Sequence, residues 1–226
     1  MDDLWLYAGQ LLEGAWVTVQ LALSSLLVGL ALGLVLAAGS LSGRALLRRA
    51  VRLCTGLLRG IPEFLIVLVC YFGLSNLINN HFDGAVEISP FAAGVFALSI
   101  VFAAYASEVF RGSFAAIPRG QIEAAQAFGL TSTQTFFAVR LPQAWRIALP
   151  SLGNLWQSLL KDTSLVSVVG LEDLLKKSNM AAQATHQPFL FFLAAAAVYF
   201  VFLHASQPVF AWLERRAGRG FEARAA

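Results

Sequence analysis

Residues 121–142 read QIEAAQAFGLTSTQTFFAVRLP. They sit inside a polar stretch, 113–146, that separates two long apolar runs and is long for a connection between helices. The stretch is patterned. Pro118 suits a helix start, Gln121–Phe128 reads as helix with its small residues grouped, and Gly129 suits a helix end, where a positive φ costs glycine little. Thr131–Leu141 predicts a second short helix that stops before Pro142, because a residue preceding proline is pushed out of the α region. Two such helices lying on a membrane surface form a platform for a soluble partner, and Ala124 and Ala125 would let that partner's backbone come close.

The flanks are membrane-like. The 226 residues are 58% hydrophobic with a mean hydropathy of +0.69, and 13% are charged, against about 25% in an average soluble domain. Crossing about 30 Å of hydrocarbon takes about 20 helical residues. Five segments meet that demand: Leu12–Ala38, Gly56–Ile78, Phe91–Phe110, Ile147–Gly170 and Phe189–Leu213. Helix is the spanning structure that satisfies its own backbone without an open edge. The expectation is one all-α integral membrane domain over residues 1–226. No repeat or soluble linker domain interrupts it.

The basic residues are sorted by side. Arg44, Arg48, Arg49 and Arg52 lie between the first two segments, with Arg59 at the start of the second. Arg111, Arg119, Arg140 and Arg146 lie between the third and fourth, and Arg215, Arg216, Arg219 and Arg224 follow the fifth; together these are 13 of the 16 Lys and Arg. The other side holds Asp2, Asp3, Glu13, His81, Asp83, Glu87 and the segment around Lys176 and Lys177, where Glu172 and Asp173 offset the lysines. The positive-inside rule therefore puts the arginine loops in the cytoplasm, the N-terminus outside and the C-terminus inside. The acidic N-terminus lacks the basic start of a signal peptide, so the first run is expected to stay as a span. The basic residues sit in short loops, which gives no nucleic-acid face. Cys54 and Cys70 fall at the start and in the middle of the second apolar run and act as small hydrophobes rather than a disulfide framework.

The stretch quoted above resembles the EAA loop of ATP-binding-cassette import permeases. Glu123-Ala124-Ala125, three residues, Gly129, nine residues, then Val139-Arg140-Leu141-Pro142 follow that family's EAA-x3-G-x9-I-x-L-P pattern, with Val139 in place of Ile. The resemblance covers about residues 14–216. Thr18–Leu23, Arg59–Glu63, Tyr105–Arg111 with Ile117-Pro118, and Lys161–Asp173 look like the polar-amino-acid permeases. Gly170–Asp173 and Gln187–Phe189 are most similar to the histidine and lysine/arginine/ornithine permeases, with arginine, octopine and nopaline systems as near relatives.

The resemblance implies a type I importer permease with five transmembrane helices. Its role is to pass polar, basic amino acids (histidine, arginine, lysine, ornithine or related opines) across a bacterial inner membrane. It further implies a second, homologous permease, an ATPase subunit holding ATP and Mg, and a periplasmic amino-acid-binding protein. The ATPase-coupling residues would be Glu123, Ala124, Ala125, Gly129, Leu141 and Pro142. The chain itself lacks G-x-x-x-x-G-K-[ST], so it is expected to bind no cofactor and catalyse nothing.

Ionisable residues inside a span are costly and face a cavity or a partner. In the fourth segment Asn154, Gln157, Ser158, Lys161 and Asp162, together with Ser151, fall within an arc of roughly 140° at about 100° per residue. A polar stripe of this kind lines a translocation pathway or bonds to a partner permease, and both readings stand at this point. Glu108 and Tyr105 in the third segment are further pathway candidates; Arg111, three residues on, offers Glu108 a local ion pair instead, and Tyr105 is equally a packing residue. Glu63 reads as an acid favoured in the first turn of the second span. His81, His186 and His204 form no metal-ligand spacing, and Trp5, Trp16 and Trp212 read as interfacial anchors. The contrasting reading is a self-sufficient channel or secondary transporter, which five spans without an internal repeat do not favour.

Overall fold

The computed structural model describes residues 2–82 and 89–218, and among them every regular element is helical. Asp83 and Glu87, and Arg219 and Arg224 of the C-terminal basic group, lie outside the described residues. The elements are α1 (Asp2–Ser40), α2 (Ala45–Gly60), α3 (Glu63–Phe82), α4 (Pro90–Ala115), α5 (Arg119–Ala127), α6 (Ser132–Thr135), α7 (Leu141–Asp162), α8 (Leu174–Thr185) and α9 (Pro188–Gly218). By length and composition α1, α4 and α9 each suffice to cross a membrane.

The centre of the bundle is α4, which buries Ala97, Leu98, Val101, Phe102, Ala106 and Phe110. Helix α1 packs along it through small residues. A methyl group on Gly29 would meet the Phe102 ring at 2.8 Å, and one on Gly33 would meet Ala106 at 3.0 Å. Close approach at glycine is how helices gain dispersion energy in lipid, where no hydrophobic force draws them together. Contacts advance together along both helices: Leu21 with Gly94, Ser25 with Ser99, Gly29 with Phe102 and Gly33 with Ala106. The two helices are therefore parallel, and the chain makes a return pass between them.

Helix α7 runs the other way. Val166, just beyond its end, touches Gly94 at the start of α4, while Phe136, ahead of α7, stacks on Phe114 at the end of α4 at 5.8 Å. Helix α9 reverses again, with Phe210 against Gly153 and Trp156. Of its 31 residues only Phe191 and Ala195 are buried, so α9 presents most of its surface outward.

The structure departs from the sequence expectation in four places. The expected second span, 56–78, is broken: α2 and α3 meet at 105° across Ile61-Pro62. Proline cannot continue the helix and holds Ile61 extended at ψ 137°. Residues 56–60 thus belong to α2, a separate amphipathic helix crossing the end of α1, where Val51 lies against Gly39. Second, the helix expected to stop before Pro142 does not stop. Residues 136–140 form a π-turn that leads into α7, with the Leu141 N–H bonding the Phe136 carbonyl. The wider turn gives the proline ring room that an α-turn denies it. Third, the expected fourth span, 147–170, is α7 up to Asp162 followed by a tighter 3-10 segment, Thr163–Val169, ending at Gly170 with φ 97°. Fourth, α1 extends to 39 residues, roughly 58 Å at 1.5 Å per residue.

The overhanging end of α1 carries α8. Asp173 caps α8 by accepting the Lys176 N–H at 2.9 Å. Thr18 accepts the Leu174 N–H at 3.1 Å and donates to the Gly14 carbonyl at 3.0 Å. Gly14 leaves room for this crossing, since a Cβ there would stand 2.8 Å from the Asp173 carbonyl oxygen. Leu11, Ala15, Leu174, Ala181 and Phe191 close a second small core around it.

Candidate functional site

Two regions gather the residues singled out in the sequence. The first is the loop between α4 and α7. Helix α5 places Glu123 and Ala124 outward and buries Ala125 at 7% exposure, so the three motif residues do different things: two face outward and one seats the helix. Gly129 takes φ 81°. Its N–H bonds the Gln126 carbonyl at 2.9 Å and the Leu130 N–H bonds the Ala125 carbonyl at 3.1 Å, the paired bonds of a Schellman ending. Thr131 then opens α6 with a capping box, exchanging bonds with Gln134. Leu141 and Pro142 occupy the first turn of α7, where a missing N–H is tolerated. The stacked Phe114–Phe136 pair, with the Arg140 guanidinium 5.7 Å from the Phe114 ring centre, braces the loop against α4. One residue not singled out in the sequence stands at the tip: Phe128, 86% exposed between Ala127 and Gly129.

The second region is a cavity of about 230 Å³ between α3, α4 and α7, lined among others by Glu63, Phe102, Tyr105, Ser158 and Asp162. The Tyr105 hydroxyl donates to Glu63 Oε1 at 3.1 Å, and the Arg59 guanidinium lies 6.0 Å from the Tyr105 ring centre. Two carboxylates therefore share one cavity, with a phenol bonded to one of them. In the sequence Glu63 reads only as a helix-start acid. Its partner Tyr105 is 42 residues away, so this pairing is visible only in the fold.

The polar stripe of α7 is divided. Ser158 and Asp162, one turn apart, face the α3/α4 cavity. Lys161 instead lines a groove against α9 with Ser164, Tyr199 and Leu203. Asn154 and Gln157 line a second recess against α9 with Ser206, Gln207 and Glu214. The arc computed from the sequence is real, but α4 packs on one edge of α7 and α9 on the other, so residues about 100° apart end in different spaces. Lys161 and Asp162 do not form a joint site. Glu108 and Arg111 form a local pair, Nη2 to Oε2 at 2.7 Å and Nε to Oε2 at 3.0 Å, one turn apart on α4, and Glu108 does not line the cavity.

Outside the spans, Glu172 is drawn below the usual carboxylate range by Lys177, whose Nζ stands 2.7 Å away. Burial raises Asp173 to about 6, against the opposing pull of its bonds to backbone N–H groups. Among the described residues no cluster of His, Cys, Asp and Glu could hold a metal ion.

The bundle is all-helical among the described residues, with a surface helix–turn–helix loop and a cavity lined in part by two acids. The chain belongs to the family described as the binding-protein-dependent transport system inner membrane component, whose model matches residues 29–219. It is a membrane permease subunit of an ATP-binding-cassette importer, and not itself an enzyme. The histidine/lysine/arginine/ornithine transport system permease protein HisQ of Escherichia coli (strain K12) is 40% identical over 214 residues, covering 93% of this chain and 94% of that one. The octopine transport system permease protein OccQ of Rhizobium radiobacter is 39% identical over 225 residues, covering 97% and 94%. Among solved structures, a chain of an amino acid ABC transporter crystallised with histidines superposes with a TM-score of 0.83 at 30% identity, covering 93% of this chain and 95% of that one.

Proposed function

We propose that this chain forms, with a second permease subunit, the membrane path of an importer for cationic amino acids of the histidine, arginine, lysine and ornithine class, opines included. The observation that carries this reading is the cavity holding Glu63 and Asp162 beside Tyr105. A charged side chain within the membrane is costly and faces a cavity or a partner. Two carboxylates in one small cavity also repel each other. A cation between them offsets both costs, and a guanidinium or ammonium side chain supplies it. Ser158 adds a hydroxyl beside the carboxylates, and the Phe102 ring gives an apolar wall for a substrate's methylene stem.

In this reading the arginine-rich loops face the cytoplasm, the N-terminus lies outside, and a periplasmic binding protein delivers substrate. ATP and Mg belong to a partner ATPase, since the chain carries no phosphate-loop motif of its own. That ATPase meets α5: Glu123 and Ala124 face it, the Gly129 turn sets the angle of the loop, and Leu141-Pro142 transmit its tilt into α7. Because Asp162 ends α7, a tilt of that helix moves the carboxylate relative to Glu63 on α3 and changes the hold on the substrate.

The test is uptake of arginine, histidine and glutamine by one reconstituted complex carrying Asp162→Asn. Loss concentrated on the cationic substrates, with assembly intact, supports the reading. Equal loss of all three with poor assembly removes Asp162 from the path.

A further inference from the structure

We infer that α2 is a binding site for anionic phospholipid, with its arginines on the headgroups and its leucines among the acyl chains. The inference rests on the orientation proposed above, which places α2 at the cytoplasmic leaflet. The helix is 16 residues long and lies at 105° to α3. It crosses the inner end of the bundle rather than running through it, with Val51 against Gly39, Thr55 buried and Arg59 over Tyr105.

Its faces are sorted by chemistry. At about 100° per residue, Val51, Thr55 and Arg59 share the edge turned toward α1 and α4. Leu46, Leu53 and Leu57 share the opposite edge and are 83%, 66% and 59% exposed. Leu47 and Cys54 continue that apolar surface, while Arg49 and Arg52 lie across the helix from them. No acid occurs from Ser40 to Gly60. Two of the arginines are engaged within the chain: Arg48 donates to the Ser42 carbonyl at 3.2 Å, and Arg59 lies over Tyr105. Arg44, Arg49 and Arg52 are exposed.

A helix with an arginine face and a leucine edge lies in the membrane interface, where acyl chains cover the apolar side and headgroups meet the basic side. Three leucines with most of their surface uncovered are unfavourable in water and favourable against acyl chains. The absence of acid selects the headgroup: a zwitterionic lipid presents an ammonium group that finds no carboxylate here, whereas an anionic one presents net negative charge to arginines. Each basic residue near an anionic surface strengthens binding about fivefold.

The test places the assembled importer in nanodiscs of equal phosphatidylglycerol and phosphatidylcholine and measures retained lipid by native mass spectrometry. The expected result is selective retention of phosphatidylglycerol. Arg44→Gln with Arg49→Gln should cut the phosphatidylglycerol-to-phosphatidylcholine ratio about tenfold or more. Equal retention of the two lipids by the unaltered complex, or an unchanged ratio in the double variant, overturns the inference. If the double variant does not assemble, a photoreactive benzophenone side chain at position 53 decides: adducts enriched in phosphatidylglycerol over phosphatidylcholine support the site, and equal adducts of the two lipids or an adduct to the partner permease overturn it. Failure of the orientation is separable, because it shows as external labelling of a cysteine at Ser132 whatever lipid is retained.

Discussion

At the scale of single residues, chemistry and conformation are held by different groups. Gly129 is needed for its backbone: at φ 81° a side chain costs about 1–2 kcal/mol. Nothing lies within 4 Å of where its Cβ would be, so the penalty is conformational, not steric crowding. Gly129→Val should leave membrane insertion unchanged, distort the exit from α5 and lower transport more than it lowers ATP hydrolysis. Parallel uptake and ATPase assays on the reconstituted complex check this, and equal activity in both assays counts against the turn's role in coupling.

Asp173 shows the opposite case, a residue kept for its cap and burdened by its charge. Its Oδ1 caps α8, while Oδ2 is buried without a hydrogen-bond partner. With the carboxyl raised to about 6, the folded state favours the protonated form. The sign follows: stability is greatest below the ordinary aspartate range and falls as pH rises through about 6, by on the order of 2 kcal/mol. Asparagine caps as well as aspartate and carries no charge. Asp173→Asn should therefore raise the melting temperature at pH 7.5, raise it less at pH 5, and change it little only below the ordinary aspartate range, near pH 3.5. A destabilisation at both pH 7.5 and pH 5 would show that the ionised carboxylate has a partner.

At the scale of elements, what could be read in the sequence was what depends on local spacing. Glu123, Gly129 and Pro142 are close along the chain, and the platform they form is where their spacing puts it. The apolar runs of α1, α4 and α9 were equally legible, because length and hydropathy decide a span without knowledge of its neighbours. The break at Pro62 was written in the sequence but outweighed there by the apolar run around it. The π-turn before Pro142 was not readable, since proline ends a helix or is accommodated according to whether the preceding turn can widen. The division of α7 was out of reach for a different reason. Helical geometry gives the angle between Lys161 and Asp162, but only the positions of α4 and α9 decide that they face different spaces.

One prediction belongs to this scale. If α6, the π-turn and α7 act as one lever, Pro142→Ala should let the turn revert toward an α-turn and shift the register of the loop against Phe114. Binding-protein-stimulated ATP hydrolysis should fall severalfold while basal hydrolysis persists. Unchanged stimulation would mean that the loop and α7 are not mechanically joined.

At the scale of the whole molecule, the directions of α1, α4, α7 and α9 follow from which residues touch, and they place the start of α1 and the end of α9 at opposite ends of the bundle. In the proposed orientation the arginine-rich loops take the cytoplasmic side. In intact cells a cysteine at Asn179, on α8, should react with an impermeant reagent from outside and one at Ser132 should not. The reverse labelling would invert the orientation and remove the coupling role of α5.

The central claim is that this chain is the path of an ATP-driven importer whose Glu63–Asp162 cavity recognises the positive charge of its substrate. The most direct measurement is uptake into proteoliposomes containing the chain with its second permease and ATPase, supplied with binding protein, comparing the unaltered chain with Glu63→Gln/Asp162→Asn. Arginine should accumulate only when ATP is present, and the double variant should reduce arginine uptake about tenfold or more while reducing glutamine uptake far less, as expected when one or two charge-assisted bonds are lost. Accumulation without ATP, or an equal loss of arginine and glutamine uptake in a fully assembled double variant, would contradict the account.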